Sequence, residues 1–161
     1  MRDSKKESNT KFDFPQVDLP CEILAWNDVT EDILNIYKQS CRLKAGIFAI
    51  CTEGKMTATI NLIDYEIKPN DLITLLPGTI IQFRERTEKV RLCFAGFSSE
   101  CVERINLIKS MVSSFSKITE CPIVELQEDI ASYLIDYFSL LARVTCDEKL
   151  SLPSEMTEVS L

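Results

Sequence analysis

GKMTATINLIDYEIKPNDLITLLPG, residues 54–78, alternates strand signals with turn signals along its whole length. Residues 57–62 and 65–68 are strand-like and flank Ile63-Asp64, so they read as a short hairpin. Pro69-Asn70-Asp71 is a turn: proline presets φ at one position and asparagine tolerates a left-handed φ at the next. The apolar run 72–76 is too short for a helix and is bounded by turn residues, which makes it a buried strand. Pro77-Gly78 turns the chain again, and residues 80–84 begin the next strand. Strand and turn at this pitch predict a small antiparallel barrel or sandwich.

The flanking sequence continues the pattern. LKAGIFAICT, residues 43–52, is apolar at nearly every position, as expected of a strand buried on both faces, and ends at the Glu53-Gly54 turn. The charged run ERTEK, 85–89, is a hairpin tip, and VRLCFAGF, 90–97, returns as another buried strand. Upstream, CEILAW, 21–26, is a strand candidate, while 29–37 suits a helix or a strand equally well. FDFPQVDLP, 12–20, carries two aromatics and two prolines and reads as an extended arm; residues 1–10 hold no core-forming residue beyond the initiator.

At Ser98 the grammar changes. Ser98-Ser99-Glu100 offers an N-cap with acid in the first turn. Cys101, Ile105, Ile108, Val112 and Phe115 then recur at helical spacing. Pro122 stands at an expected first helical position, and Ile130, Leu134, Tyr137, Leu141 and Val144 form a second helical stripe. Residues 147–161 lose all period and read as linker. The expected organisation is therefore tail and arm over 1–20, β-barrel over 21–97, helical segment over 98–146 and linker over 147–161.

Composition narrows the chemistry. The 161 residues make one ordinary domain, long enough to bury roughly two-thirds of its unfolded surface without metal or disulfide. A net charge of −7 is the wrong sign for an autonomous nucleic-acid binder. No apolar run approaches the ~20 residues of a membrane span, and the charged N-terminus lacks the apolar core of a secretory signal, so a cytoplasmic, membrane-free protein is expected. Seven cysteines sit at scattered spacings with no CxxC pair, and most occupy apolar contexts where a free thiol packs as a small hydrophobe. There is no histidine at all, which removes the commonest routes to acid–base catalysis, nucleophile activation and metal ligation.

The turn NDLITLLPGTII, 70–81, resembles the second motif of cupins, G-x5-P-x-G-x2-H, and the whole order of elements resembles the cupin sensor domains of AraC-type transcription regulators. Gly78 matches outright, Asp71 and Pro77 match the surrounding consensus, Asn70 replaces the first glycine, Leu76 stands at the motif's proline, and Ile81 replaces the ligand histidine. Of the first motif only Gly54 remains: Ile47 takes the glutamate position, and the histidine positions fall near Cys41 and Leu43. The resemblance covers about residues 21–144 and implies the cupin-like antiparallel barrel, or double-stranded β-helix, followed by two amphipathic helices that dimerise. With every metal position replaced, it implies the scaffold without metal-cupin chemistry, hence no metal, cofactor or catalytic residue. A full regulator continues into two basic helix-turn-helix units, so the expectation is an excised N-terminal domain or a short paralogue, contacting DNA only through a C-terminal domain beyond Leu161.

If the former ligand positions point inward, strand alternation aims Ile47, Ala49, Cys51, Ile81 and Phe83 inward as well, toward an apolar pocket for a small-molecule effector or toward a closed core. The helical stripes Ile105, Ile108, Val112, Ile130, Leu134, Tyr137, Leu141 and Val144 are the expected homodimer seam; the alternative is that they pack on the barrel. The functional expectation is the effector-sensing and dimerisation domain of an AraC-type regulator. The alternatives are a stand-alone metal-free cupin enzyme or small-molecule binder, and a purely structural oligomerisation domain.

Overall fold

The computed structural model describes residues 14–29, 35, 37–87, 89–104 and 117–146. In chain order its strands are β1 Gln16–Val17, β2 Ile23–Val29, β3 Cys41–Leu43, β4 Gly46–Glu53, β5 Met56–Ile60, β6 Ile63–Ile67, β7 Asp71–Leu75, β8 Ile80–Arg86, β9 Arg91–Phe97 and β10 Ile123–Glu125. Helix α1 spans Ser99–Arg104 and helix α2 spans Glu128–Cys146; residues 117–120 are also helical. The chain is mainly β with helices after the sheet, as expected.

Two five-stranded sheets result, ordered β1-β3-β8-β5-β6 and β10-β7-β4-β9-β2. Their ladders share no strand, so among the described residues the expected rolled sheet is two facing sheets without barrel closure. Nor is every pairing antiparallel: β1 runs parallel to β3, Gln16 opposite Arg42, because the arm is laid along that edge rather than returned by a hairpin.

The two sheets bury different faces, and their sequences show why. In β4 the side chains of Ala49 and Cys51 enter the core between the sheets, with Leu92 and Phe94 of β9 beside them. The alternate residues, Ile50 on β4 and Cys93 and Ala95 on β9, meet α2 instead. Both strands are therefore apolar on both faces except at their Glu53 and Arg91 ends, as the runs at 43–52 and 90–97 predict. The first sheet covers only one face. Ala58, Ile60 and Ile81 point into the core, while Thr59 on the outer face donates its hydroxyl to Asp64 at 2.5 Å and accepts Arg84 Nε at 2.9 Å. Asp64 thus lies within a strand rather than at a loop tip.

Two boundaries differ from the sequence reading. The β5–β6 turn falls at Asn61-Leu62, two residues before the expected Ile63-Asp64, because both residues adopt left-handed backbones (φ 49° and 70°) that match the twist of a two-residue hairpin. Asn61 also fastens this turn to β8, its Oδ1 accepting the Ile80 amide at 3.0 Å. The expected helix start at Pro122 is instead the entry to β10: Thr74 N donates to Pro122 O at 2.8 Å, and Ile123 pairs with Ile73 on the free edge of β7. Edge pairing and two β-branched residues override the helix signal there, and α2 starts at Glu128.

The Asn70 turn is as expected. Asn70 is left-handed (φ 72°), and the buried Asp71 closes the turn by accepting the Lys68 amide at 2.9 Å. Ser98 caps α1, its Oγ accepting the Cys101 amide at 3.2 Å. Most of the first helical stripe, including Ile105, Ile108 and Val112, lies outside the described residues. No described helix is long and apolar enough to cross a membrane.

Gly54 holds the β4–β5 turn with φ 82°, and a Cβ there would overlap the Lys89 carbonyl oxygen and stand 2.9 Å from Thr87 Oγ1. Both the left-handed backbone and a rigid main-chain obstacle forbid a side chain. Gly54→Ala is expected to lower stability by at least ~2 kcal/mol in urea denaturation. A loss under about 0.5 kcal/mol would mean that the 86–90 tip yields freely.

Candidate ligand-binding cavity

Between the two sheets, at the end nearest the arm, the core does not close. A cavity of about 270 Å³ remains. Leu43, Ile81 and Phe83 line it from the first sheet, and Ile47, Ala49, Ile73, Leu75, Leu92 and Phe94 from the second. Four of the five residues expected to face inward are thus cavity walls: Ile47, Ala49, Ile81 and Phe83. Cys51 shares their face but lies in the filled part of the core, fully buried, its thiol directed to the carbonyls of Glu53 and Gly54.

The arm forms the remaining wall with Val17, Asp18, Leu19 and Pro20. Two sets of bonds hold it there. Along β3, Arg42 N donates to Pro15 O and Lys44 N to Val17 O, each at 2.8 Å. Beyond the second sheet, Asp18 Oδ2 accepts the Ser99 hydroxyl at 2.6 Å and its Oδ1 accepts the Ser99 amide at 3.1 Å. The arm therefore crosses from the edge of one sheet to the end of the other. Gly96 makes room for it: a Cβ at that position would stand 2.7 Å from Leu19 Cδ1. Glu22 reinforces the crossing through a 2.6 Å ion pair with Arg104 and through its carbonyl, which accepts the Ser98 amide.

Among the described residues, only two that line the cavity carry polar side-chain atoms, Asp18 and Tyr37. Partial desolvation pushes the Asp18 carboxyl up, but the bonds from Ser99 and Leu19 and the nearby Lys44 charge outweigh it and hold the group below its ordinary value. Asp18 is consequently ionised and committed to the arm contact. Tyr37 packs edge-on against Phe83 with ring centroids 5.8 Å apart. Burial, with a smaller contribution from Cys41, raises its phenol above the ordinary value, so it stays protonated at neutral pH. Sequence reading passed over Tyr37 because it lies in the ambiguous stretch 29–37, and over the arm residues because nothing local says which edge an arm will join.

Thiol chemistry is weak at this site. Burial pushes both Cys51 and Cys93 up to about 11, which leaves them as neutral packing groups near neutral pH. Among the described residues no cluster of acidic, thiol or imidazole groups could hold a metal ion.

Helix α2 lies on the far side of the second sheet. Phe138, Ala131 and Ala142 are buried, and Leu134, Ile135, Tyr137 and Leu141 pack against the same cluster as Ala25, Ile50 and Cys93. Of the expected seam, Leu134, Tyr137 and Leu141 thus pack toward the sheet. At about 100° per residue, the apolar side chains of α2 cover roughly 220° of its circumference, more than one sheet can bury. The uncovered flank carries Ile130, Tyr133 and Leu140, which are 44%, 71% and 55% exposed; half-buried Val144 lies among them, and Tyr137, which also packs against that cluster, borders them.

Comparison with protein-family models finds no match, and comparison with curated proteins finds none either.

Because the folded Asp18 carboxyl lies below its ordinary value, its contribution to stability is fully present above that ordinary value and fades as pH falls through the depressed one. Hydrogen exchange at the Leu19 and Ser99 amides is expected to be protected at pH 7 and progressively lost below about pH 4, once corrected for intrinsic exchange. In Asp18→Asn the same amides are expected to exchange faster already at pH 7. Equal protection in both proteins at pH 7 would show that β1 alone holds the arm.

Proposed function

We propose that this chain is the ligand-sensing and dimerisation domain of an AraC-type transcription regulator, its two sheets being the walls of a cupin-like barrel that has lost its metal ligands. The observation that carries the reading is the apolar cavity, walled on one side by a tethered arm. A core that only had to fold would fill such a void, since an unfilled cavity lowers stability. The described lining favours holding over chemistry: of its two polar side chains, one is committed to Ser99 and the other is a protonated phenol.

Dimerisation is supported by the uncovered flank of α2. Ile130, Tyr133, Tyr137, Leu140 and Val144 recur at spacings of 3, 4, 3 and 4, the repeat of a helix–helix seam. This seam is rotated from the expected one, with Tyr133 and Leu140 replacing Leu134 and Leu141. DNA contact would be made by helix-turn-helix units outside this chain, since the −7 charge opposes binding to phosphate.

The test is a fusion of this chain to a DNA-binding domain that represses a reporter only when paired. The fusion is expected to repress, and the double variant Tyr133→Asp/Leu140→Asp is expected to lose repression while remaining folded by circular dichroism. Leu134→Asp should lose the fold itself, because it places a charge in the cluster beneath α2. Repression unaffected by the double variant removes the seam, and no repression by the parent fusion removes the dimerisation reading.

A further inference from the structure

We infer that the cavity takes an uncharged, largely aliphatic molecule of on the order of ten to fifteen non-hydrogen atoms, carrying one hydrogen-bond-accepting oxygen that meets the Tyr37 hydroxyl. The inference rests on the sensing-pocket reading above and deepens it by naming the ligand class.

Size comes first. A volume of about 270 Å³ is just under the range of drug-sized sites. Charge comes next. Among the described residues no lysine or arginine lines the cavity, and its one carboxylate, Asp18, already accepts three hydrogen bonds from Ser99 and Leu19. An anionic ligand would face that carboxylate with no cation in the wall. A cationic one would have to draw Asp18 from the bonds that hold the arm. Either would be desolvated without compensation among isoleucines, leucines and phenylalanines.

Polarity decides the rest. A sugar brings several hydroxyls into a wall that offers partners for one or two, and each unpaired group costs binding energy. Among the described residues the Tyr37 hydroxyl makes no hydrogen bond, although its ring is wedged against Phe83 in the wall. Because it keeps its proton at neutral pH, it donates. A ketone, ester or similar oxygen on a hydrocarbon frame satisfies that donor and leaves every other surface of the ligand apolar.

Titration calorimetry of the whole chain with 2-decanone, butylbenzene, decanoate and glucose separates the cases, with ligand-to-methyl NOEs from Ile47 and Ile81 locating whatever binds. The expected result is that 2-decanone and butylbenzene bind between the sheets, decanoate binds at least tenfold more weakly than 2-decanone, and glucose does not bind. In Tyr37→Phe, 2-decanone is expected to weaken by roughly threefold to tenfold and butylbenzene to be unchanged. Decanoate binding as tightly as 2-decanone, or 2-decanone indifferent to Tyr37→Phe, overturns the ligand class and leaves the pocket standing. Glucose bound in place of the apolar probes overturns the class in the same way. Binding by none of the four overturns the ligand class and the sensing reading together, since the void would then be only a packing defect.

Discussion

Sandwiching of the second sheet between two apolar layers is the constraint from which the rest of the structure follows. Its central strands β4 and β9 send Ala49 and Leu92 inward and Ile50, Cys93 and Ala95 outward. Neither face can be left to water. The inner face is covered by the first sheet and the outer one by α2, whose Phe138 and small Ala142 fit against the small residues of β2 and β9. Burying a side chain the size of Phe138 contributes on the order of 2–3 kcal/mol before packing is counted, so the helix is an obligatory part of this fold. The first sheet has no such need, and its outer face is accordingly built from threonines, Gln82, Arg84 and Asp64.

This asymmetry places the cavity. Where the sheets face each other over β5, β6 and β8, Met56, Ile60 and Ile67 close the core. Toward β3 and β2 the facing positions include Ala49 and Gly96, which project little or nothing inward, and the space is finished by the arm rather than by sheet residues. A wall made of arm is held by few bonds: the short β1 ladder, the Asp18–Ser99 contact and the Glu22–Arg104 pair. The arm residues that enclose the void are thus held at its edge, while the strands behind them belong to the doubly buried sheet.

Much of this was legible in the sequence where one local cause acts alone. Asn70 and Pro77-Gly78 announce their turns because few residues accept those backbones, and the largely apolar runs at 43–52 and 90–97 announce strands covered on both faces. The failures have a different origin. Leu62 in a left-handed backbone is not a residue that sequence would nominate for a turn, and the hairpin register fixes it there through the five pairings of β5 with β6. Ile123 and Val124 become strand because β7 leaves an edge open, which is a fact of tertiary structure. That Leu134 and Leu141 pack in the cluster beneath α2 is hidden in the sequence for a similar reason. A helix apolar over more than half its circumference states that two surfaces are needed, but only the sheet beneath decides which stripe it takes.

The arm links the cavity to the start of α1. Asp18 lines the void and also bonds the first residue of α1, so whatever displaces the arm from the cavity wall must break the contact at Ser99. For the proposed sensing role this sets both a route and a ceiling. An occupant that touches Leu19 and Pro20 favours the seated arm by no more than the contacts it makes there and loses when the arm lifts. An occupant touching only the sheets would bind without moving the equilibrium, however tightly it bound. Signal strength in such a device is set by the contacts to residues 17–20, and ligand selection by Tyr37 and the apolar walls, so the two properties rest on different residues of one cavity.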